Sequence, residues 1–360
     1  MHNRFVLKTI GFALGVSLVS VAFVVGCGDA TVVDEPAVQS SASGVLPPTT
    51  TPTPPANEFP IVGQPERFRL EDLSLVGIDG WINSEPLEIS KLSDSNRMVL
   101  LDFWTYTCVN CIRTFPYLKA WHDTYAEHGL TIIGVHSPEF EFEKPIDNVR
   151  AAVERFELEY PVANDSEKQT WDKYGNHFWP SKYLLTTSGE VVLRHFGEGG
   201  YSEFEETIRA ELERTGTDLT GVARVSVTGP DRSTNAHTIT RELYGGYSNG
   251  YLSDGLYAGQ DAYYESPDTA VVYVDDGTRR HGQFFLDGEW INNSSAIVSA
   301  KAKSASSAQF AFEFFATSVN AVLGAEFAAL DVTVELDGQP LAPEQAGTDV
   351  TWNDAGESVV

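Results

Sequence analysis

The chain has 360 residues, with 24 Lys+Arg against 51 Asp+Glu and a formal net charge of -27. That length suggests about two domains and is enough to build a core without disulfides. The acidity makes nucleic acid a poor partner, because phosphate binding needs a basic surface; it fits solubility or salt adaptation and does not identify a reaction.

In chain order, the N-terminus reads first as a targeting segment. Arg4 and Lys8 precede an apolar run from Ile10 to Val25, which ends in Val24-Val25-Gly26-Cys27. This is the layout of a secretory signal. The small residue before a cysteine makes residues 1–26 similar to a bacterial lipoprotein signal, which implies cleavage before Cys27 and lipid on its thiol. The alternative is an uncleaved membrane anchor, since the run is marginally long enough to span. Either reading places the remaining chain outside the cytoplasm. Residues 27–58 are rich in Ser, Thr and Pro and lack apolar periodicity. Such a segment buries too little surface to offset its ordering entropy, so it is expected to be a disordered tether.

The chain has three cysteines. With Cys27 at the cleavage site, Cys108 and Cys111 can pair only with each other. A disulfide closing so small a loop adds little stability. A zinc site needs about four ligands, and neither a second CxxC nor an HxxxH spacing is present. A redox dithiol is the reading that keeps its footing. The flanks agree with it. Met98–Trp104 reads as a buried strand, and Ile112–Tyr125 as a helix with Phe115, Leu118 and Trp121 near helical spacing and Pro116 inside it. The cysteines therefore fall on a strand-to-helix turn, where unpaired N–H groups and the helix dipole favour a thiolate. Cys108 is expected to have the lower pKa and act as nucleophile, and Cys111 to be the buried resolving thiol.

The stretch DFWTYTCVNC, followed by a helix with proline five residues after the second cysteine, resembles the thioredoxin superfamily. The resemblance implies a buried carboxylate at Asp102 that helps deprotonate the resolving thiol. It also implies that Trp104 packs beside the active site and that a cis-proline faces the disulfide. Pro180, after Trp179, is the best candidate for that proline, and the strands Lys182–Thr186 and Val191–Phe196 then form the expected hairpin. Additional elements are read at Thr131–His136 (parallel strand), Pro145–Leu158 (helix), Pro161–Ala163 (short strand) and Ser166–Tyr174 (helix). This inserted unit resembles the TlpA/ResA group and the AhpC/TSA redoxins. The strings FWTYTCVNCIRTFPYLKAWH, IIGVHSPEFEFE, NVRAA, TWDKYGNHFWPSKYLL and HFGEGGY more closely resemble the thioredoxin-like half of DipZ-type thiol:disulfide interchange proteins, over residues 75–213. Likeness to ResA implies an acidic residue that assists proton transfer. Glu139 could fill that role, or be a solvated loop carboxylate. Thr105, three residues before Cys108, matches a peroxiredoxin spacing, but Leu101 stands where such enzymes carry proline.

Residues 215–240 read as a linker between a redox domain at 59–214 and a second domain at 241–360. The second domain reads as β. Alternation in Gln309–Phe314 supports strands with one buried face, and Asp287-Gly288 and Asp337-Gly338 are hairpin turn signals. YGGY, DGEW and LDGQPL resemble the carbohydrate-binding-module-like domain of DipZ-type proteins. Tyr244, Tyr247 and Trp290 are then either sugar-stacking or core residues. The chain stops where related domains continue, so a final strand is expected to be missing.

The expected architecture is an α/β thioredoxin-like fold, a central mixed sheet flanked by helices with an inserted βα unit, followed by an antiparallel β-sandwich. The expected activity is that of an exported, lipid-anchored thiol:disulfide oxidoreductase with no cofactor and no metal. Cys108 attacks a substrate disulfide and Cys111 resolves the mixed disulfide. The DipZ and ResA resemblance implies the reducing direction, electrons from a CcdA-like membrane partner, and disulfide-containing exported proteins such as apocytochrome c as substrates. The alternatives are an AhpC/TSA-type thiol peroxidase and a binding module whose β-sandwich docks a partner or a glycan.

Overall fold

The computed structural model describes residues 72–227, 240–248, 257–299, 308–316, 318–323 and 332–360 in full, and the backbone alone of 3–10, 22–26, 68–69, 251–252, 255–256 and 331. The leader and tether read from residues 1–58, Cys27 included, lie outside the residues described in full. Among the described residues no helix is long and apolar enough to cross a membrane.

The first domain comprises β1 (Phe68–Arg69), β2 (Gly80–Ile82), α1 (Ile89–Asp94), β3 (Met98–Trp104), α2 (Val109–Tyr125), β4 (Leu130–His136), α3 (Ile146–Arg155), β5 (Val162–Asn164), α4 (Gln169–Lys173), β6 (Ser181–Leu185), β7 (Glu190–Phe196) and α5 (Tyr201–Arg214). Its strands form one mixed sheet in the order β1-β7-β6-β3-β4-β5-β2. β3 runs parallel to β4 and antiparallel to β6. All residues of β3 and β4 are buried, because both faces of the sheet are covered. Strand alternation divides β3 between two cores. Met98, Leu100 and Trp104 pack with Phe115, Leu118 and Trp121 of α2 and with Phe204, Ile208 and Leu212 of α5. Val99, Leu101 and Phe103 pack on the opposite face with Ile89 and Trp171, next to α1 and α4. Each such side chain contributes about 1.5–3 kcal/mol on burial.

Several boundaries differ from the sequence reading for local reasons. α3 stops at Arg155 rather than Leu158 because Glu157 takes φ 53. The Glu157 N–H then bonds the Glu154 carbonyl at 3.1 Å and the Leu158 N–H bonds that of Val153 at 3.0 Å, a Schellman ending built without glycine. α4 starts at Gln169 rather than Ser166, since Lys168 is left-handed with φ 56. The Asp165 carboxylate caps it from upstream, accepting the Thr170 and Trp171 N–H groups at 3.0 and 2.8 Å. Packing of this domain also runs beyond residue 214. Leu219 is buried in its core, with Val222 and Val225 against it, so the first part of the presumed linker belongs to the domain.

The second domain is an antiparallel sheet assembly whose core includes Phe284, Leu286, Trp290, Phe310 and Phe312. The backbone of Asn3–Ile10 pairs with both Gln309–Phe314 and Asp331–Leu336. Asp337-Gly338 is the expected hairpin turn, with Leu336 opposite Gln339. Asp287-Gly288 is not a turn but the middle of the strand Phe284–Asn292. The strand changes partner there: Phe284–Asp287 pair with residues 309–312, and Gly288–Ile291 with residues 270–273. Gly288, at φ 88, supplies the left-handed backbone for that switch.

Candidate active site

β3 delivers its chain into α2 through Thr105, Tyr106 and Thr107, and Cys108 is the N-cap of α2. The Cys111 N–H points at the Cys108 sulfur at 3.4 Å. The helix N-terminus therefore offers a backbone donor to the first sulfur. Cys108 is 7% exposed and Cys111 fully buried, and both are in the dithiol state. Burial pushes the Cys111 thiol well above its usual range, and the neighbouring Cys108 and Asp102 add to this.

Asp102 lies on the α2 face of β3, between Leu100 and Trp104. It is fully buried, and neither carboxylate oxygen has a hydrogen-bond partner. Burial pushes it up to about 7, against the opposing pull of Lys182. Register places Lys182 directly across from it on β6. Lys182 is also fully buried, and burial lowers its pKa while Asp102 and Cys111 hold it up. Its ammonium reaches the Gly197 carbonyl at 3.4 Å. A carboxyl that titrates near neutral pH beside a buried thiol can accept that thiol's proton.

Trp104 is wedged edge-on against Phe115 and His136, with centroids 5.2 and 5.0 Å apart. It fits because residue 134 is glycine: a Cβ there would lie 2.8 Å from the Trp104 indole nitrogen. Pro180 is buried, and the Trp179–Pro180 bond is cis. The Trp179 indole N–H donates to the Ser137 carbonyl at 2.8 Å, and its ring lies 4.2 Å from that of Trp171. Thr105 is buried with its hydroxyl 3.4 Å from His136 Nε2, and His136 Nδ1 faces Asn164 at 3.2 Å. Burial depresses His136 to about 3, so its ring is neutral.

Glu139 is half-buried in the loop after β4. Burial, then Glu242 and Glu143, push its carboxyl up to about 8. It is thus not an ordinary solvated loop carboxylate. Glu143 had no signal in the string EFEFE, yet it ties this loop to the cysteine turn. Its buried carboxylate accepts the Thr107 hydroxyl at 2.6 Å and the N–H groups of Glu139 and Phe140 at 2.6 and 2.9 Å. Lys182 was likewise read only as a strand residue. Among the three aromatics considered for sugar stacking, Trp290 is buried in the second domain's core. Tyr244 is half-buried beside Glu139, and Tyr247 donates to Asp268 at 3.0 Å. Among the described residues no group of three or more His, Cys, Asp or Glu side chains converges on a metal site.

Residues 71–194 match the AhpC/TSA family, and residues 240–358 match the thioredoxin-like C-terminal domain. Protein DipZ of Mycobacterium bovis is 34% identical over 221 residues, 60% of this chain and 30% of DipZ. The chain thus spans under a third of the DipZ proteins it matches. Thiol-disulfide oxidoreductase ResA of Halalkalibacterium halodurans is 31% identical over 151 residues, 41% of this chain and 77% of ResA. Among solved structures, a thiol-disulfide isomerase from Corynebacterium glutamicum aligns with 39% of this chain and 96% of its own at 21% identity and a TM-score of 0.36.

Proposed function

The chain belongs to the thiol-disulfide oxidoreductases of the ResA type, and from that premise we propose that it reduces disulfides in exported proteins through Cys108 and Cys111. The observation that carries this reading is the pairing of a helix-capping thiol, which accepts the Cys111 N–H, with a second, buried thiol beside the Asp102 carboxyl. The Cys108 thiolate attacks one substrate sulfur, and the other leaves with the bonding electron pair. Cys111 passes its proton to Asp102 and attacks the Cys108 sulfur. The second substrate sulfur departs as a thiolate and is protonated. Two electrons and two protons reach the substrate, and the enzyme is left as a Cys108–Cys111 disulfide.

In this reading a CcdA-like membrane protein returns the dithiol, and lipid on Cys27 holds the domain near that donor, with the tether giving it reach. A peroxidase reading draws on the AhpC/TSA match and Thr105. It is disfavoured because the Thr105 hydroxyl faces His136 and because Leu101 replaces proline.

The test is insulin reduction with dithiothreitol as electron source. Cys108→Ser should abolish the enzyme-dependent rate. Cys111→Ser, reduced beforehand, freed of dithiothreitol and then mixed with oxidised insulin, should accumulate a mixed disulfide that is visible on non-reducing gels. Mixed disulfides formed through Cys111 in the Cys108→Ser protein would overturn the assignment of the nucleophile.

A further inference from the structure

The groups facing Glu139 come from both domains. Glu143 and Lys168 belong to the first, Glu242 and Tyr244 to the second. In the second domain, Leu243 is buried in the core. Alternation along the extended chain sends Glu242 and Tyr244 to the opposite side from Leu243. The Tyr244 phenol donates to Glu242 Oε2 at 2.8 Å and lies within hydrogen-bonding reach of the Glu139 carboxyl. The Tyr257 ring, 5.9 Å away centroid to centroid, holds Tyr244 from behind. The phenol is also close enough to Cys108 to feel a charge on its sulfur. Its own ionisation is pushed far up by burial, then by Glu242, Glu139 and Cys108, so it remains a donor.

Two half-buried carboxyls that share one phenol cannot both ionise freely at neutral pH, because each charge opposes the other. Glu139 is raised by burial and then by Glu242, with Lys168 opposing. Glu242 is raised by burial, with Tyr244 opposing.

We propose that Glu242 and Tyr244, supplied by the second domain, are positioning residues of the redox centre, which with Glu139 hold one proton beside Cys108 and return it to the substrate sulfur that leaves first. The proposal rests on the reductase reading and completes its proton balance. In the form that reacts, the Cys108 sulfur attacks as a thiolate, with one proton on the carboxyl pair and one on Cys111. The first departing substrate thiolate takes the pair's proton. The second takes the proton that Cys111 has given to Asp102. The second domain is then part of the chemistry rather than a passenger on it.

The test measures the rate of Cys108 alkylation by iodoacetamide from pH 5 to 10 in the full-length protein, with the melting temperature recorded alongside. Wild type should show an inflection near pH 8, where Glu139 titrates. Glu139→Gln should remove it. Glu242→Gln should move it down by about one pH unit, because a like charge is gone while burial remains. Tyr244→Phe should move it up, since the lost hydroxyl favoured both carboxylates. Opposite shifts from the two variants are not what a packing role would give. If both profiles superpose on wild type, the proposal fails. Should Glu242→Gln not fold, Tyr244→Phe decides alone, as it removes only a hydroxyl. Insulin reduction by wild type is scored separately. Its absence with the shifts intact would sink the reductase reading, and its presence without them would sink this proposal.

Discussion

Replacing Asp102 with Asn isolates the most costly feature of the site. The Asp102 carboxyl is fully buried, lacks hydrogen-bond partners, and is raised from 3.8 to about 7, chiefly by burial. A shift of about three units corresponds to roughly 4 kcal/mol. The sign follows from linkage. Below the unfolded value, both states bind the proton and there is no penalty. Between the two values, only the folded state keeps it, so folding stability falls as pH rises. Above about 7 the penalty is complete. Asp102→Asn should therefore gain stability over wild type progressively from about pH 4 to pH 7, by up to about 4 kcal/mol, and level off above that.

The pull of Lys182 is already contained in that figure, since it lowers the Asp102 carboxyl from where burial alone would leave it. Below about pH 7 the folded Asp102 is neutral, so replacing it with Asn removes no charge beside the Lys182 ammonium, and above that the lost support is part of the same plateau. The assay is urea unfolding of the first domain under reducing conditions at pH 4 to 8, with Trp fluorescence as the probe. In the same variant, decay of a Cys108 mixed disulfide should slow, because Cys111 has lost its proton acceptor. A difference between variant and wild type that stays flat across this pH range would refute the reasoning.

Three further outcomes are expected. Gly134→Ala drives a Cβ to within 2.8 Å of the Trp104 indole nitrogen and 3.2 Å of the Tyr160 ring, and should lower stability by about 1–3 kcal/mol in a thermal melt. Glu157→Gly relieves the left-handed backbone at φ 53 and should raise stability by about 0.5–1 kcal/mol, since the exposed ion pair it loses with Lys119 is worth little. On the lipid-anchor proposal, Cys27→Ser should block processing at Gly26–Cys27 and incorporation of radiolabelled fatty acid. Because cleavage would withdraw Asn3–Ile10 from between its two partner strands, the unprocessed form should also have the more stable second domain.

The strand–turn–helix around the cysteines was legible because its signals are local. β3 is a continuous apolar run that needs both faces covered, and the helix after it repeats its buried residues every three or four positions. What the sequence hid was set at long range or by exceptions to local rules. Nothing near Lys182 says that it lies opposite Asp102; only the β3–β6 register does. Glu143 looks like one more acidic loop residue until folding brings Thr107 to it. Glu157 ends a helix where glycine would have announced the end. Asp287-Gly288 has the composition of a turn but serves a strand that changes partners.

The alternation that builds the core also creates the chemistry. On the α2 face of β3, packing alone would place a fourth hydrophobic residue, between Leu100 and Trp104. The chain places Asp102 there, and the cost falls on folding stability. The same cost is what brings its carboxyl to about 7, since an exposed aspartate would be ionised throughout the neutral range and too weak a base to draw a proton from Cys111. Supplying a full hydrogen-bond set would lower the cost and also lower the pKa, which removes the basicity the second step needs. Lys182 sits at an intermediate position: its charge limits the penalty, while its lack of an ion-pair contact with Asp102 leaves the carboxyl raised. Stability and proton transfer at this site therefore pull on the same two side chains in opposite directions, and the Asp102→Asn protein should be the more stable and the slower enzyme.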